Sequence, residues 1–199
     1  MERQIIISIG REFGSGGHEI AQKLSEIYRL PLYDHTLLDE IAKKTNLESH
    51  ELRALDETKR NKLFSRTVKG MNNSAAHNLA LLQFDFLKKK ADAGESFIVV
   101  GRCSETILKE NEGLISFFIL GDKDVKVKRI MELYGLSEIE AQAMMYDKDR
   151  RRKQYHNSFC PGKWGDSRNY ELSINSSKLG LEETVKIICA YIDSRIGKR

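Results

Sequence analysis

A strand, a glycine loop and a helix follow one another without a break at the start of this chain, and that order limits the folds open to it. Gln4-Ile-Ile-Ile-Ser-Ile-Gly10 is an apolar run. It leads into Arg11-Glu12-Phe13-Gly14-Ser15-Gly16-Gly17-His18, then into Glu19-Ile20-Ala21-Gln22-Lys23-Leu24, whose apolar spacing is helical. At such a junction backbone N–H groups converge where the positive end of the helix dipole points, a combination that holds anions. Gly14, Gly16 and Gly17 keep side chains clear of that point and permit turns with φ > 0. A glycine turn without a ligand would use the same residues, but the first strand-to-helix junction of an α/β chain is where phosphates bind.

The nucleotide-binding form of this loop reads G-x-x-x-x-G-K-[ST]. With Gly16 on the second glycine, Arg11 stands in place of the first, Gly17 in place of the lysine and His18 in place of the hydroxyl residue. The lysine normally neutralises phosphate charge and the hydroxyl normally binds Mg²⁺, so both functions need another source here.

The rest of the chain repeats the alternation. Leu30–Tyr33, Phe97–Gly101, Ile115–Leu120 and Tyr170–Asn175 are four further strand candidates. The run Phe97-Ile-Val-Val100 is continuously apolar, as a strand buried on both faces should be. Helical patterns cover about 17–29, 35–45, 48–68, 73–92, 103–110, 123–134, 137–156 and 181–196. Alternating strands and helices imply an α/β fold with a mostly parallel, five-stranded sheet and helices on both faces. With 199 residues, 40% apolar and 31% charged, a single globular domain is expected.

A net charge of +4 suits small anionic ligands and is too diffuse for nucleic acid. No hydrophobic run reaches membrane-spanning length and no cleavable signal opens the chain, so a cytoplasmic protein without membrane attachment is expected. Cys103, Cys160 and Cys189 are odd in number and widely spaced, giving neither a disulfide framework nor a zinc spacing. Cys189 falls in an apolar pattern and reads as core filler, and the terminal Arg195, Lys198 and Arg199 as a frayed helix end.

Arg11-Glu12-Phe13-Gly14-Ser15-Gly16-Gly17 resembles the lysine-less phosphate loop of the cytidylate kinase-like proteins, a branch of the P-loop nucleoside monophosphate kinases. The resemblance extends to Tyr33-Asp34, Gly101-Arg102, the segment from Asp149-Arg150 to Tyr155, and Tyr170 to Asn175. It implies a P-loop kinase fold, with a helical acceptor-side insertion over about 34–96 and a lid over about 147–167. The insertion reads equally as a helical hairpin or a homodimer surface.

On this resemblance Gly14, Ser15, Gly16, Gly17 and His18 hold the phosphates of ATP, and Ser15 is the nearer hydroxyl for Mg²⁺. Asp34 and Arg102 end strands and face the ligand crevice, Asp34 to support the acceptor or the metal's water shell and also placed to cap the next helix. A guanidinium at Arg102 would grip an acceptor phosphate, or else pair with Glu105 on the surface. The fuller Asp-Gly-Arg-Asp of cytidylate kinases is lost here, since Val100 precedes Gly101 and Cys103 follows Arg102. Within the lid, Asp147, Arg150 and Arg151 share one helix face, as do Arg151, Gln154 and Tyr155. Arg11 with Arg150 or Arg151, and Arg129 as a further candidate, would then supply the charge that Gly17 lacks. Asn175-Ser176-Ser177 reads as a helix cap.

The expected activity is transfer of the γ-phosphoryl of ATP to a small acceptor, a nucleoside monophosphate such as CMP being the one the resemblance implies. A kinase for another metabolite and a non-catalytic nucleotide-binding module are the alternatives.

Overall fold

A computed structural model describes residues 4–34, 37, 40–41, 67–68, 71–72 and 75–197 of the chain. At its centre is β1 (Ile6–Arg11), followed through the glycine loop by α1 (Gly17–Tyr28) and β2 (Leu32–Tyr33). A two-residue hairpin, β3 (Thr67–Val68) and β4 (Met71–Asn72), precedes α2 (Ala75–Asp92) and β5 (Phe97–Val100). The chain continues through α3 (Ser104–Ile107), β6 (Leu114–Leu120), α4 (Lys123–Tyr134), α5 (Glu138–Phe159), β7 (Leu172–Asn175) and α6 (Ser176–Ile196).

Five strands form one parallel sheet in the order β2-β5-β1-β6-β7. The strand alternation divides the core in two. Ile6, Phe97, Val99 and Leu114 turn to one face, where they meet Leu79, Phe86 and Leu87 of α2. Ile7, Ile9, Ile98, Val100, Phe117 and Ile119 turn to the other and meet α1 and α6 through Ile20, Leu24, Val185 and Ile188. Each such side chain, fully buried, stabilises the fold by about 1.5–3 kcal/mol. Cys189 packs at the edge of this second cluster.

Beyond the sheet, α4 and α5 pack on each other through Val127, Ile130, Ala141 and Met145. Gly135, at φ 65°, ends α4, and a capping box between Ser137 and Glu140 starts α5. The latter helix buries only Ala141, Met145 and His156, so it leaves the core and carries its polar end across the sheet's C-terminal edge.

Two expectations need correction. Thr67–Val68 is expected at the end of a helix, but it pairs antiparallel with Met71–Asn72, as two β-branched residue types favour. Arg195 is no frayed end, because its Nε lies 2.8 Å from Glu171 Oε2. The helix expected over 181–196 is present, preceded by a short helical turn from Ser176 that meets it at the non-helical Gly180. The helices expected over 35–45 and 48–66 lie mostly or wholly outside the described residues, as does most of the acceptor-side insertion and the dimer surface read there.

Candidate active site

The loop is held from behind by hydrogen bonds and packing that leave its amide edge clear. Glu12 N–H donates to Ile119 O at 2.9 Å, and Phe13 N–H donates to Asp149 Oδ1 at 2.7 Å. Gly14 and Gly16 adopt φ 82° and 77°. A Cβ on Gly14 would come 2.9 Å from Lys126 O, and one on Gly16 would come 2.4 Å from Leu181 Cδ2. Glycine is therefore required by both backbone and space. Gly16 is also the N-cap of α1 and provides no side-chain cap, which leaves first-turn amides for a ligand.

Ser15 is buried and its hydroxyl donates to Glu12 O at 2.8 Å, while Ser176 Oγ donates to Ser15 O at 2.6 Å. Asn175 caps α6 by accepting from Ser177 N–H, so this junction both starts a helix and buttresses the loop. His18 sits on the first turn of α1 with Nδ1 3.5 Å from Asp34 Oδ2, joining the loop to the end of β2.

Arg11 leaves the end of β1 and runs across the loop toward the end of β5. Its Nη1 lies 2.3 Å from where a Cβ on Gly101 would stand, and its own Cβ occupies the space beside Gly17. Burial holds the Arg11 pKa well below the usual arginine value, and the neighbouring charges of Arg152 and Arg102 push the same way. Asp149 and Asp34 oppose them. Arg152 donates from Nη1 to Arg11 O at 3.3 Å, stacks 5.3 Å from the Phe13 ring centre and lies 3.5 Å from Asp149 Oδ1.

Arg11, Arg102, Arg151 and Arg152 line a single cavity of about 230 Å³ at the C-terminal ends of β1 and β5, with Tyr155 and Trp164 opposite. Arg102 reaches it from a left-handed backbone, φ 59°. Glu105 is paired not with Arg102 but with His156, whose Nε2 lies 2.7 Å from Glu105 Oε1.

The three consecutive arginines of α5 separate. Arg152 packs on the loop, Arg151 reaches the cavity while bound to Asp147, and Arg150 is 66% exposed with Nη2 2.6 Å from Asp147. Arg129 bonds Glu19 through Nη1 at 2.8 Å and stands 3.2 Å from the would-be Cβ of Gly16. Two cations escaped the sequence reading as individuals. Arg152 was one of a run, and its spacing of three from Asp149 was the available signal. Lys126 had no signal: it reaches from α4 to place Nζ 2.7 Å from Glu12 Oε2, which also accepts from Gly121 N–H.

A parallel sheet whose central strand feeds a glycine loop and helix, with arginines gathered at the same edge, defines the class of P-loop kinase folds. Residues 6–178 match the cytidylate kinase-like family, and the chain belongs to that family. An uncharacterized protein from Eubacterium ventriosum is 45% identical in its crystal structure, covering 96% of this chain and 99% of its own, with a TM-score of 0.77. Shikimate kinase from Bacteroides thetaiotaomicron shares the fold at 13% identity, with 95% and 98% coverage and a TM-score of 0.56. Shikimate kinase from Acinetobacter baumannii, in complex with shikimate, does so at 12% identity, with 97% and 95% coverage and a TM-score of 0.55. No protein of curated function matches the chain. Among the described residues, no helix is long and apolar enough to cross a membrane.

Proposed function

We propose that this chain is an ATP-dependent phosphotransferase acting on a small anionic acceptor, a nucleoside monophosphate such as CMP being the acceptor its family suggests. The convergence of Arg102 and Arg152 on Arg11, at the mouth of the glycine loop, carries this reading. Phosphoryl transfer spreads charge over equatorial oxygens, and fixed guanidinium groups in a water-poor cavity stabilise it strongly. In this reading Arg11 supplies from the mouth of the loop the charge that Gly17 lacks.

The residues present fit a polyphosphate. Two left-handed glycines and an uncapped helix start form a cradle that side chains would fill. Gly14 to His18 would hold the donor phosphates, and Arg102 with Arg151 would face the acceptor. Mg²⁺, when bound, would screen the phosphate oxygens. Ser15 spends its hydrogen on Glu12 O and keeps lone pairs for a cation, and Asp34 offers a nearby carboxylate. Residues 147–167 would act as the lid, with Arg152 already docked on the loop.

A second acceptor class is favoured by one observation. Val100 and Cys103 flank Gly101-Arg102 on the cavity wall, where a cytidylate kinase would carry acids, and Tyr155, Trp164 and Tyr170 fill out the lining. That wall would suit a phosphorylated or carboxylated metabolite without a cytosine to recognise.

The test is ADP release from ATP and Mg²⁺ across nucleoside monophosphates, nucleosides, shikimate and sugars. Acceptor-dependent ADP release supports the proposal, and the best acceptor decides its class. Tight ATP binding with no acceptor-dependent turnover would replace it with a non-catalytic nucleotide-binding module.

A further inference from the structure

Along one wall of the arginine cavity lies a buried cluster of three side chains with metal-ligating chemistry, of which Glu105 and His156 line the cavity itself. Glu105 Oε1, a ring nitrogen of His156 and Cys160 Sγ all lie within 4.8 Å of one another. His156 and Cys160 are four residues apart on the last turn of α5 and its cap, hence on one face. Glu105 comes from α3, immediately after the turn that carries Arg102. Cys103 is packed against Cys160 in the same small core.

We propose that Glu105, His156 and Cys160 form a binding site for a zinc-class divalent cation, with Cys103 the neighbouring thiol for a fourth position.

Carboxylate, imidazole and thiolate together are the donor set that zinc takes, whereas Mg²⁺ and Ca²⁺ would leave the sulfur and nitrogen unused. Tetrahedral coordination at about 2.0–2.3 Å separates neighbouring donors by about 3.3–3.8 Å, so the cluster needs adjustments of roughly 1 Å to close on an ion. The histidine is oriented for it. Asn157 Oδ1 accepts from Trp164 N–H at 2.9 Å and stands 3.3 Å from His156 Nδ1, which must therefore present N–H to it. Nε2 is then the atom turned to Glu105, at 2.7 Å, and the attraction between them requires a positive centre. A proton fills that role without metal, and a divalent cation would displace it together with the Cys160 thiol proton. All four side chains are buried, where an uncompensated carboxylate is costly. A bound ion would clasp the Arg102 turn to the end of the helix bearing Arg151 and Arg152, joining two walls of the arginine cavity.

The experiment is a Co²⁺ titration of the full chain, purified under reductant and stripped with chelator. The expected result is one equivalent of Co²⁺ producing a thiolate-to-cobalt charge-transfer band that Zn²⁺ removes by competition. The band should be weakened in Cys160→Ser, absent when Cys103→Ser is added to it, unchanged in Cys189→Ser, and reached only at about 10–100-fold higher Co²⁺ in Asn157→Ala, which removes the bond that orients His156 together with the one from Trp164 N–H. Zn²⁺ should also raise the Tm of the parent by about 5 °C or more. No thiolate band in the parent at saturating Co²⁺ overturns the proposal, whatever the variants do. So does an identical band in folded Cys160→Ser. Loss of phosphotransfer with the cobalt band intact would strike only the kinase reading, so the two fail separately.

Discussion

Arg11 occupies the room that a side chain at Gly17 would need: a Cβ placed on Gly17 lies 2.6 Å from Arg11 Cβ and 3.0 Å from its Cγ. Two of the three departures from the common phosphate-loop pattern, Arg11 and Gly17, are thus one structural event. With arginine at the mouth of the loop, lysine cannot stand at the head of the helix.

Three variants test that relationship. Arg11→Ala should lower turnover on the order of 10³-fold, the scale of an arginine acting in phosphoryl transfer. Gly17→Lys alone should not improve the enzyme, and should lose about 1–3 kcal/mol of stability through overpacking against Arg11. The double variant Arg11→Gly with Gly17→Lys removes the clash and should recover part of the activity lost in Arg11→Ala. Turnover measurements paired with thermal melts check this. Parent-like activity in Arg11→Ala would reject the assignment of charge to Arg11.

The arginines of α5 should divide sharply by position. Arg152 is mostly buried, donates to Arg11 O and stacks on Phe13, so Arg152→Ala should cost about 10²-fold or more in kcat. Arg150 faces solvent on Asp147, and Arg150→Ala should stay within about threefold of the parent, as an exposed pair contributes little. Steady-state kinetics of both variants decide the matter, and a larger loss in Arg150→Ala would place the active lid arginine elsewhere.

That division marks the limit of what the chain discloses before folding. The sheet was legible because Phe97–Val100 is buried on both faces and cannot alternate, and because β1 runs unbroken into its glycines. Arg11 and Arg102 were legible as strand-end residues, since C-terminal ends of parallel strands share one edge. Successive helix residues differ by about 100°, so a run of three arginines points three ways, and only the approach of α5 decides which faces inward. Lys126 and Glu12 are 114 residues apart, and Glu105 and His156 are 51 apart. No local pattern announces a pair joined only by tertiary packing. For the same reason the widely spaced Cys103 and Cys160 suggested no cluster, yet the fold brings them together.

Asp149 gives a pH signature. Burial raises its pKa above the ordinary 3.8, against the Phe13 N–H bond and the charges of Arg152 and Lys126, while Glu12 adds to the rise. An acid whose folded pKa lies above its unfolded value binds more protons when native. It therefore costs nothing below pH 3.8, and its charged form destabilises the fold as pH climbs through the folded value. Asp149→Asn keeps an oxygen for Phe13 N–H and cannot ionise. The stability of the parent relative to Asp149→Asn should fall as pH rises through that window, read as the difference between their melting temperatures. A difference that grows with pH instead would mean that pairing with Arg152 outweighs burial.

Lys126 and Glu12 brace the loop as a nearly buried pair, with the Lys126 side chain 9% exposed and Glu12 also holding Gly121 N–H. Removing one member leaves the other charge without its partner away from bulk water, whereas removing both leaves none. Lys126→Met should therefore cost about 3 kcal/mol, with Glu12→Gln somewhat less because its amide oxygen still accepts from Gly121. The double variant should cost clearly less than the sum, giving a coupling of roughly 1–3 kcal/mol in a denaturation cycle. Because Glu12 lies in the loop and is tied through this pair to α4, the single variants should weaken ATP binding along with stability. Additive stability losses would show that the pair merely sits beside the loop, and that Gly14 alone sets its shape.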